Sequence, residues 1–179
     1  SVASRGLGDV YKRQQLRPRR VLVIGGGIAG CAVAGGLKTL GIEAIILDAA
    51  AQEGAGASGN PAGIVVPFLT VGDTVGMRLS ISSLADTRAF LDAHDLIISN
   101  GVISLDYDKR KSSRQKKIAE QGFPSDLATY KSADELSATS GLPVKTGGLL
   151  FETGAVIQPR QLSGQLAEGV ERIYGAKIH

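Results

Sequence analysis

The sequence predicts an α/β fold that opens with a parallel β-α-β unit. Three observations carry the expectation: an apolar, β-branched run from Val21 to Ile24, a glycine pattern directly after it, and a second apolar run, Ala44 to Leu47, that ends at Asp48. Both runs have the length and composition of parallel strands buried on both faces. Gly25, Gly27 and Gly30 fit G-x-G-x-x-G. The first glycine allows the tight turn, the second lets a pyrophosphate approach the backbone, and the third lets the helix lie close to the strand.

Each element follows in order. Ile28 to Leu40 reads as a helix closed by Gly41, its start offering backbone N–H groups and partial positive charge to phosphate oxygens. Gly35 and Gly36 each cost a helix interior roughly 1 kcal/mol relative to Ala, so both are expected to serve close packing. Asp48 stands eighteen residues after Gly30, where an acid that binds a ribose hydroxyl is expected. By itself the pattern also admits a βαβ unit with a glycine-rich turn and no cofactor. The next stretch, Gly56-Ala57-Ser58-Gly59-Asn60-Pro61-Ala62-Gly63-Ile64-Val65-Val66-Pro67, is rich in small residues. It lets backbone pass close to a flat ring or a pyrophosphate, with Ser58 and Asn60 as polar side chains, though as an isolated pattern it is an ordinary loop.

Asp73 is placed to cap a helix through about His94, with Met77, Ile81, Leu84 and Leu91 near one face. His94 is expected as the C-terminal residue of that helix, where a cation is favoured, rather than as a base. Gly101 to Tyr107 reads as a strand, and a helix is expected between Asp108 and Gly122. Ser132-Ala133-Asp134-Glu135 forms a capping box opening a short helix that stops near Gly141 and Pro143. Gly148 to Phe151 and Ala155 to Ile157 are expected as a hairpin across Glu152-Thr153-Gly154. Pro159 then starts a helix with Leu162, Leu166, Val170 and Ile173 on one face, closed by Gly175. Gly175 to His179 reads as the approach to another strand.

At 179 residues and 43% hydrophobic content, the chain is long enough to bury a sizeable core. One cysteine, Cys31, excludes an intramolecular disulfide framework and suits a reducing cytoplasm; it is expected as a small buried packing residue. No metal site, membrane span or signal peptide is read from the pattern. Residues 1–14 resemble a translated sequencing adapter, and residues 1–15 are set aside as a non-native leader. Removing Arg5, Lys12, Arg13 and Asp9 takes 20 basic and 17 acidic residues to 17 and 16, so the basic balance is partly due to the leader. The positive charge that remains is concentrated in Lys109, Arg110, Lys111, Arg114, Lys116 and Lys117, six basic residues in nine. A polyanion such as tRNA is one partner for this run, and a solvated helix face is the blander reading. No aromatics interleave with these residues to form a base-stacking platform.

Placed directly after the ribose-binding acid, Gly56 to Pro67 resembles the segment that covers the isoalloxazine and ribityl chain in flavin enzymes of the D-amino acid oxidase superfamily. Gly56 to Thr70 followed by Asp73 is similar, more narrowly, to the FAD-dependent oxidoreductase domain of the bifunctional enzymes that modify carboxymethylaminomethyl-uridine in tRNA. Gly101-Val102-Ile103-Ser104-Leu105 with Lys116 to Ala119, Ser140-Gly141-Leu142, and Gly147 to Leu150 with Pro159, Leu162 and Leu166 extend the similarity over roughly residues 20–179. The resemblance implies a Rossmann-like FAD-binding domain of the GR2 type with part of a smaller α+β substrate domain, an incomplete fold. Residues 16–70 would form the βαβ unit and flavin loop, 71–157 a connecting helix and part of the substrate domain, and 158–179 a return helix. The cofactor contacts implied are Gly25, Gly26, Gly27, Ile28, Ala29, Gly30, Asp48, Ala57, Ser58, Gly59, Asn60, Gly63 and Ile64.

The same resemblance implies oxidation of a secondary amine. FAD takes a hydride from the carbon beside nitrogen, water hydrolyses the imine, and oxygen reoxidises the flavin with release of peroxide. For tRNA this removes the carboxymethyl arm of the wobble uridine as glyoxylate and leaves an aminomethyl group. A substrate carboxylate would meet an Arg or a Tyr, but no position is assigned to that role and no catalytic residue is named. The expected partners are tRNA or a small amine or amino acid, with a methyltransferase domain fused in the intact protein. Two further classes stay open: a free-standing glycine, sarcosine or D-amino acid oxidase, and an inactive fragment or nucleotide-binding module.

Overall fold

The computed structural model describes residues 18–52 and 54–176. The leader and the final Lys177-Ile178-His179 lie outside the described residues. In chain order the elements are β1 (Arg20–Ile24), α1 (Ile28–Thr39), β2 (Glu43–Asp48), β3 (Gly63–Val65), α2 (Val75–Ala93), β4 (Ile97–Leu105), α3 (Lys109–Ala119), β5 (Thr129–Lys131), α4 (Ala133–Ser140), β6 (Gly148–Ile157), α5 (Pro159–Leu166) and β7 (Glu171–Tyr174). A 3-10 turn, Ala57–Gly59, lies between β2 and β3.

Two sheets organise these elements. The first is parallel, in the order β1-β2-β7, with Val23 opposite Ile46 and Ile46 opposite Arg172. Strand alternation sends Val21, Val23, Ala44 and Ile46 to one face, where they pack with Cys31 and Ala34 of α1 and with Leu166 and Ala167 at the end of α5. The opposite face carries Leu22, Ile24 and Ile173, and Ile24 is 70% exposed. Parallel sheets are ordinarily covered on both faces, so this sheet is half covered by the described residues.

The second sheet is antiparallel. β6 lies at its centre, paired with β3, β4 and β5. Met77 of α2 and Ile118 of α3 pack against Leu149 and Phe151 of β6. A third cluster joins the two halves: Leu91 near the end of α2 and Leu96 just before β4 meet Ile157 of β6 and Leu162 of α5, with Ile28 of α1 against them.

Several elements depart from the sequence expectations. Thr74, not Asp73, caps α2, its hydroxyl accepting from Met77 N at 3.2 Å, while Asp73 pairs with Arg78. The strand read from Gly101 begins at Ile97, because Gly101 adopts φ +79° within a register shift of a longer β4. The hairpin expected across Glu152-Thr153-Gly154 is absent: β6 runs unbroken through these residues, and Thr153 N donates instead to Asp126 O at 3.0 Å. The bend is absorbed by an irregularity opposite Gly101, where Phe151 pairs with Val102 and Ala155 with Asn100. The helix after Pro159 ends at Leu166, and Gly169 turns the chain at φ +66°. Val170 therefore leaves the helix, and Ile173 lies in β7 beside β2.

Other expectations match the fold. Ser132 and Glu135 form the reciprocal capping box of α4, and Gly141 ends it in the left-handed conformation. His94 caps the C-terminus of α2, with its Nδ1 2.8 Å from Phe90 O. Cys31 is buried, its thiol 3.4 Å from Gly26 O.

The two helical glycines of α1 differ. A Cβ at Gly35 would stand 2.0 Å from Leu166 O, so close approach of α1 and α5 requires glycine there; a Cβ at Gly36 would meet open space. The packing role expected for both thus belongs to Gly35 alone. Gly35→Ala is expected to lower the free energy of unfolding by about 1–3 kcal/mol through overpacking. Gly36→Ala is expected to raise it by about 1 kcal/mol through helix propensity. Urea denaturation of the two variants checks the opposite signs.

Candidate dinucleotide site

β1 and β2 end side by side, and the chain turns from β1 into α1 at Gly25, whose φ of +101° few residues with a Cβ adopt. Gly25 N donates to Leu47 O at 2.8 Å and carries the pairing of the two strands into the turn. Gly30, one turn into α1, lies against it: a Cβ there would stand 1.8 Å from Gly25 O. Gly27 is the helix N-cap, and no acidic side chain stands in the first turn of α1.

Asp48 closes this turn from the end of β2. Its Oδ2 accepts from Gly26 N at 2.6 Å, and its Oδ1 accepts from Ala50 N at 2.8 Å. Donation from the Ala50 N–H, and then from Gly26, holds the carboxyl below the usual aspartate range. Asp48 is therefore ionised and fixed in orientation, and each oxygen keeps acceptor capacity beyond its one backbone bond.

The loop after β2 returns to the helix start. Ala57, Ser58 and Gly59 form the 3-10 turn with Asn60 as its C-cap, and Ser58 Oγ accepts from Ile28 N at 3.1 Å. Beneath it the backbone closes tightly, since a Cβ on Gly59 would lie 1.6 Å from Gly54 O. Gly63 and Ile64 belong to β3 of the second sheet, and Ile64 is exposed. The fold thus brings Gly25 to Gly30, Asp48 and Ser58 together, while Asn60 is exposed on the loop and Gly63 and Ile64 lie beyond it.

Three participants escaped the sequence reading. The Ala50 N–H holds Asp48 from within its own chain segment. Pro159, at the start of α5, packs where a Cβ on Gly63 would stand 2.9 Å from its ring, and Arg160 Nε lies 2.9 Å from the position of a Cβ on Gly54. Pro159 was legible only as a helix start, and nothing in the spacing links it or Arg160 to the loop.

These residues fit an adenine dinucleotide. Gly26 and Gly27 leave clear the positions their Cβ atoms would fill, 3.1 Å from Asp48 Oδ2 and from Ser58 Oγ respectively. An ionised acid at the end of β2 suits ribose hydroxyls, and a helix start without acids suits phosphate. Asp48→Asn is expected to lower stability by about 1–3 kcal/mol at neutral pH, as hydrogen bonds to a charged group are lost. Because the folded carboxyl titrates below its unfolded value of about 3.9, that stabilisation is full above about pH 5 and is lost as pH falls through the folded value. Denaturation of wild type and variant across pH checks it: the difference between them should shrink below about pH 4.

Comparison with known proteins agrees with the geometry. The family described as DAO, FAD dependent oxidoreductase, matches residues 20–179. The tRNA 5-methylaminomethyl-2-thiouridine biosynthesis bifunctional protein of Burkholderia orbicola (strain MC0-3) is 36% identical over 163 residues, which is 87% of this chain and 25% of that protein. Its namesake in Ectopseudomonas mendocina (strain ymp) is 33% identical over 153 residues, 84% of this chain and 23% of that one. The chain therefore spans about a quarter of the length of these curated relatives. Among solved structures, L-proline dehydrogenase from P. horikoshii superposes with a TM-score of 0.72 at 19% identity, covering 90% of this chain and 45% of that one. Glycine oxidase from Geobacillus kaustophilus superposes with a TM-score of 0.69 at 17% identity, covering 89% and 48%. With its glycine turn, the acid at the end of β2 and the returning loop, and with the family match over residues 20–179, this chain belongs to the FAD-dependent oxidoreductase family.

Proposed function

We propose that this chain is the cofactor-holding part of an enzyme that oxidises a C–N bond of a secondary amine, the amine being the carboxymethylaminomethyl arm of a tRNA wobble uridine. The observation that carries the reading is the 36% identity, over 87% of this chain, to a protein named for tRNA 5-methylaminomethyl-2-thiouridine biosynthesis. On the same reading the intact protein is cytoplasmic and carries a fused methyltransferase domain. Among the described residues no helix is long and apolar enough to cross a membrane.

When bound, FAD supplies the acceptor for the hydride that leaves the carbon beside nitrogen. The residues of this chain bind and orient. Asp48, held ionised by two backbone N–H groups, would accept from the ribose hydroxyls, and Gly25 to Gly30 with the start of α1 would receive the pyrophosphate. Ser58 ties the returning loop to the Ile28 N–H, and Ala57 to Asn60, with Gly63 and Ile64 beyond them, would hold the flavin side of the cofactor. Residues 16–70 and 158–179 serve the cofactor in this division of labour, and 71–157 serve the substrate.

The test is to recover the gene with its flanks from source DNA, purify the whole product, and incubate it with tRNA bearing carboxymethylaminomethyl-uridine. Release of glyoxylate with an aminomethyl group left on the nucleoside is expected; unchanged tRNA alongside oxidation of free glycine or sarcosine overturns the reading. Gly30→Ala in that product is expected to remove the flavin absorbance, since the added methyl group collides with the turn. The 179-residue chain alone, with Leu22, Ile24 and Ile173 open on one sheet face, is expected to give no saturable FAD binding at micromolar concentration in a fluorescence titration.

A further inference from the structure

The basic run Lys109 to Lys117 is not used by the dinucleotide site. It forms α3, capped by Asp108 Oδ1, which accepts from Lys111 N at 2.6 Å. Lys109, Arg110 and Lys111 occupy the first turn, where the helix dipole disfavours cations, and the capping carboxylate of Asp108 stands against three positive charges. Among the described residues none of the six cations in this run forms an ion pair with a carboxylate. Lys116 and Lys117 suit the last turn, but the excess of cations in the first turn runs against helix stability, and such a departure from a local rule points to a function.

The inner face of α3 fixes the outward direction of these charges. Buried Gln115 donates through Nε2 to Ser104 Oγ at 3.0 Å and accepts through Oε1 from Leu149 N at 3.1 Å, joining α3 to β4 and β6. Beside the helix lies a groove of about 630 Å³ with an apolar floor that includes Leu69, Ile118, Leu149 and Phe151. Arg110, Lys111 and Arg114 line it, together with the carboxylate-bearing Asp108. Two aromatic side chains also reach it: Phe68, from the segment after β3, is 60% exposed, and Tyr107 is 79% exposed with Lys111 Nζ 4.5 Å above its ring. The sequence interleaves no aromatics with the basic run, but the fold supplies two from outside it.

We infer that this groove along α3 docks an unpaired segment of RNA, with Arg110, Lys111 and Arg114 on phosphates and Phe68 and Tyr107 stacking bases. Unpaired cations beside exposed aromatic rings match the two faces of single-stranded nucleic acid, charged backbone and flat base. The inference rests on the reading that the enzyme acts on tRNA and assigns the surface that grips it away from the dinucleotide turn.

The test is fluorescence anisotropy of a short 5′-labelled oligouridylate against the full chain and the whole gene product, across a salt series. R110Q/R114Q removes two exposed phosphate contacts, so the slope of log affinity against log salt should fall by about 1.4 and affinity at about 0.1 M salt by roughly 25-fold. Tyr107→Ala should weaken binding about tenfold with the slope unchanged. Lys145→Glu, an exposed charge change outside the groove, should alter neither, and circular dichroism should match wild type throughout. Equal affinity in wild type and R110Q/R114Q overturns the proposal. So does a Tyr107→Ala affinity equal to wild type, which marks a plain charge patch that heparin would occupy as well. The two readings fail separately. Groove-dependent RNA binding without turnover of modified tRNA leaves the docking surface and removes the reaction, whereas turnover with RNA affinity indifferent to these variants removes the docking surface alone.

Discussion

The position of the Asp48 carboxylate governs the rest of the nucleotide half. One oxygen holds the glycine turn through Gly26 N and the other holds the chain's own next turn through Ala50 N. The backbone of the same short segment reaches the third strand, with Gly175 N donating to Ala50 O at 2.7 Å and Ala176 N to Asp48 O at 3.0 Å. Three parallel strands therefore end against one another at residues 48–50. The carboxyl ends of parallel strands are where open α/β sheets bind ligands. Here the carboxylate placed to recognise a ribose also aligns the strand ends.

A second constraint is the closeness of backbones. Gly30 against Gly25, Gly59 against Gly54 and Gly35 against Leu166 are contacts that a methyl group would break. They close the turn into α1, fold the returning loop on itself and set α5 against α1. Through Leu162, α5 also enters the apolar cluster shared with α2 and β6, and so couples the parallel sheet to the antiparallel one. The site is held from both sheets, although its polar groups come from the first unit and its loop.

The nucleotide unit was legible because its signals are local. The strand β1, the glycine turn, α1 and β2 with Asp48 follow from short apolar runs and from residues whose geometry few others can adopt. The capping box at Ser132 and Glu135 is legible for the same reason, being closed within four residues. The errors lie where partners are distant. Glu152-Thr153-Gly154 has the composition of a turn, yet β6 continues past it because β4 pairs with β6 on both sides, at Phe151 and at Ala155. Val170 and Ile173 continue a helical spacing from Leu162 and Leu166, yet Ile173 pairs with β2 across more than a hundred residues of chain.

The sequence by itself determined the family-level pattern: a glycine turn, an acid at the end of the second strand, and a small-residue loop behind it. Tertiary structure alone decided which groups those residues meet. It set Ser58 on the Ile28 N–H, gave Gly35 a partner and Gly36 none, and carried Phe68 to the edge of the basic helix beside Tyr107. The physical reason is range. Backbone conformation and capping are fixed by near neighbours, whereas burial, strand pairing and side-chain convergence depend on segments that meet only after the chain has closed its long loops.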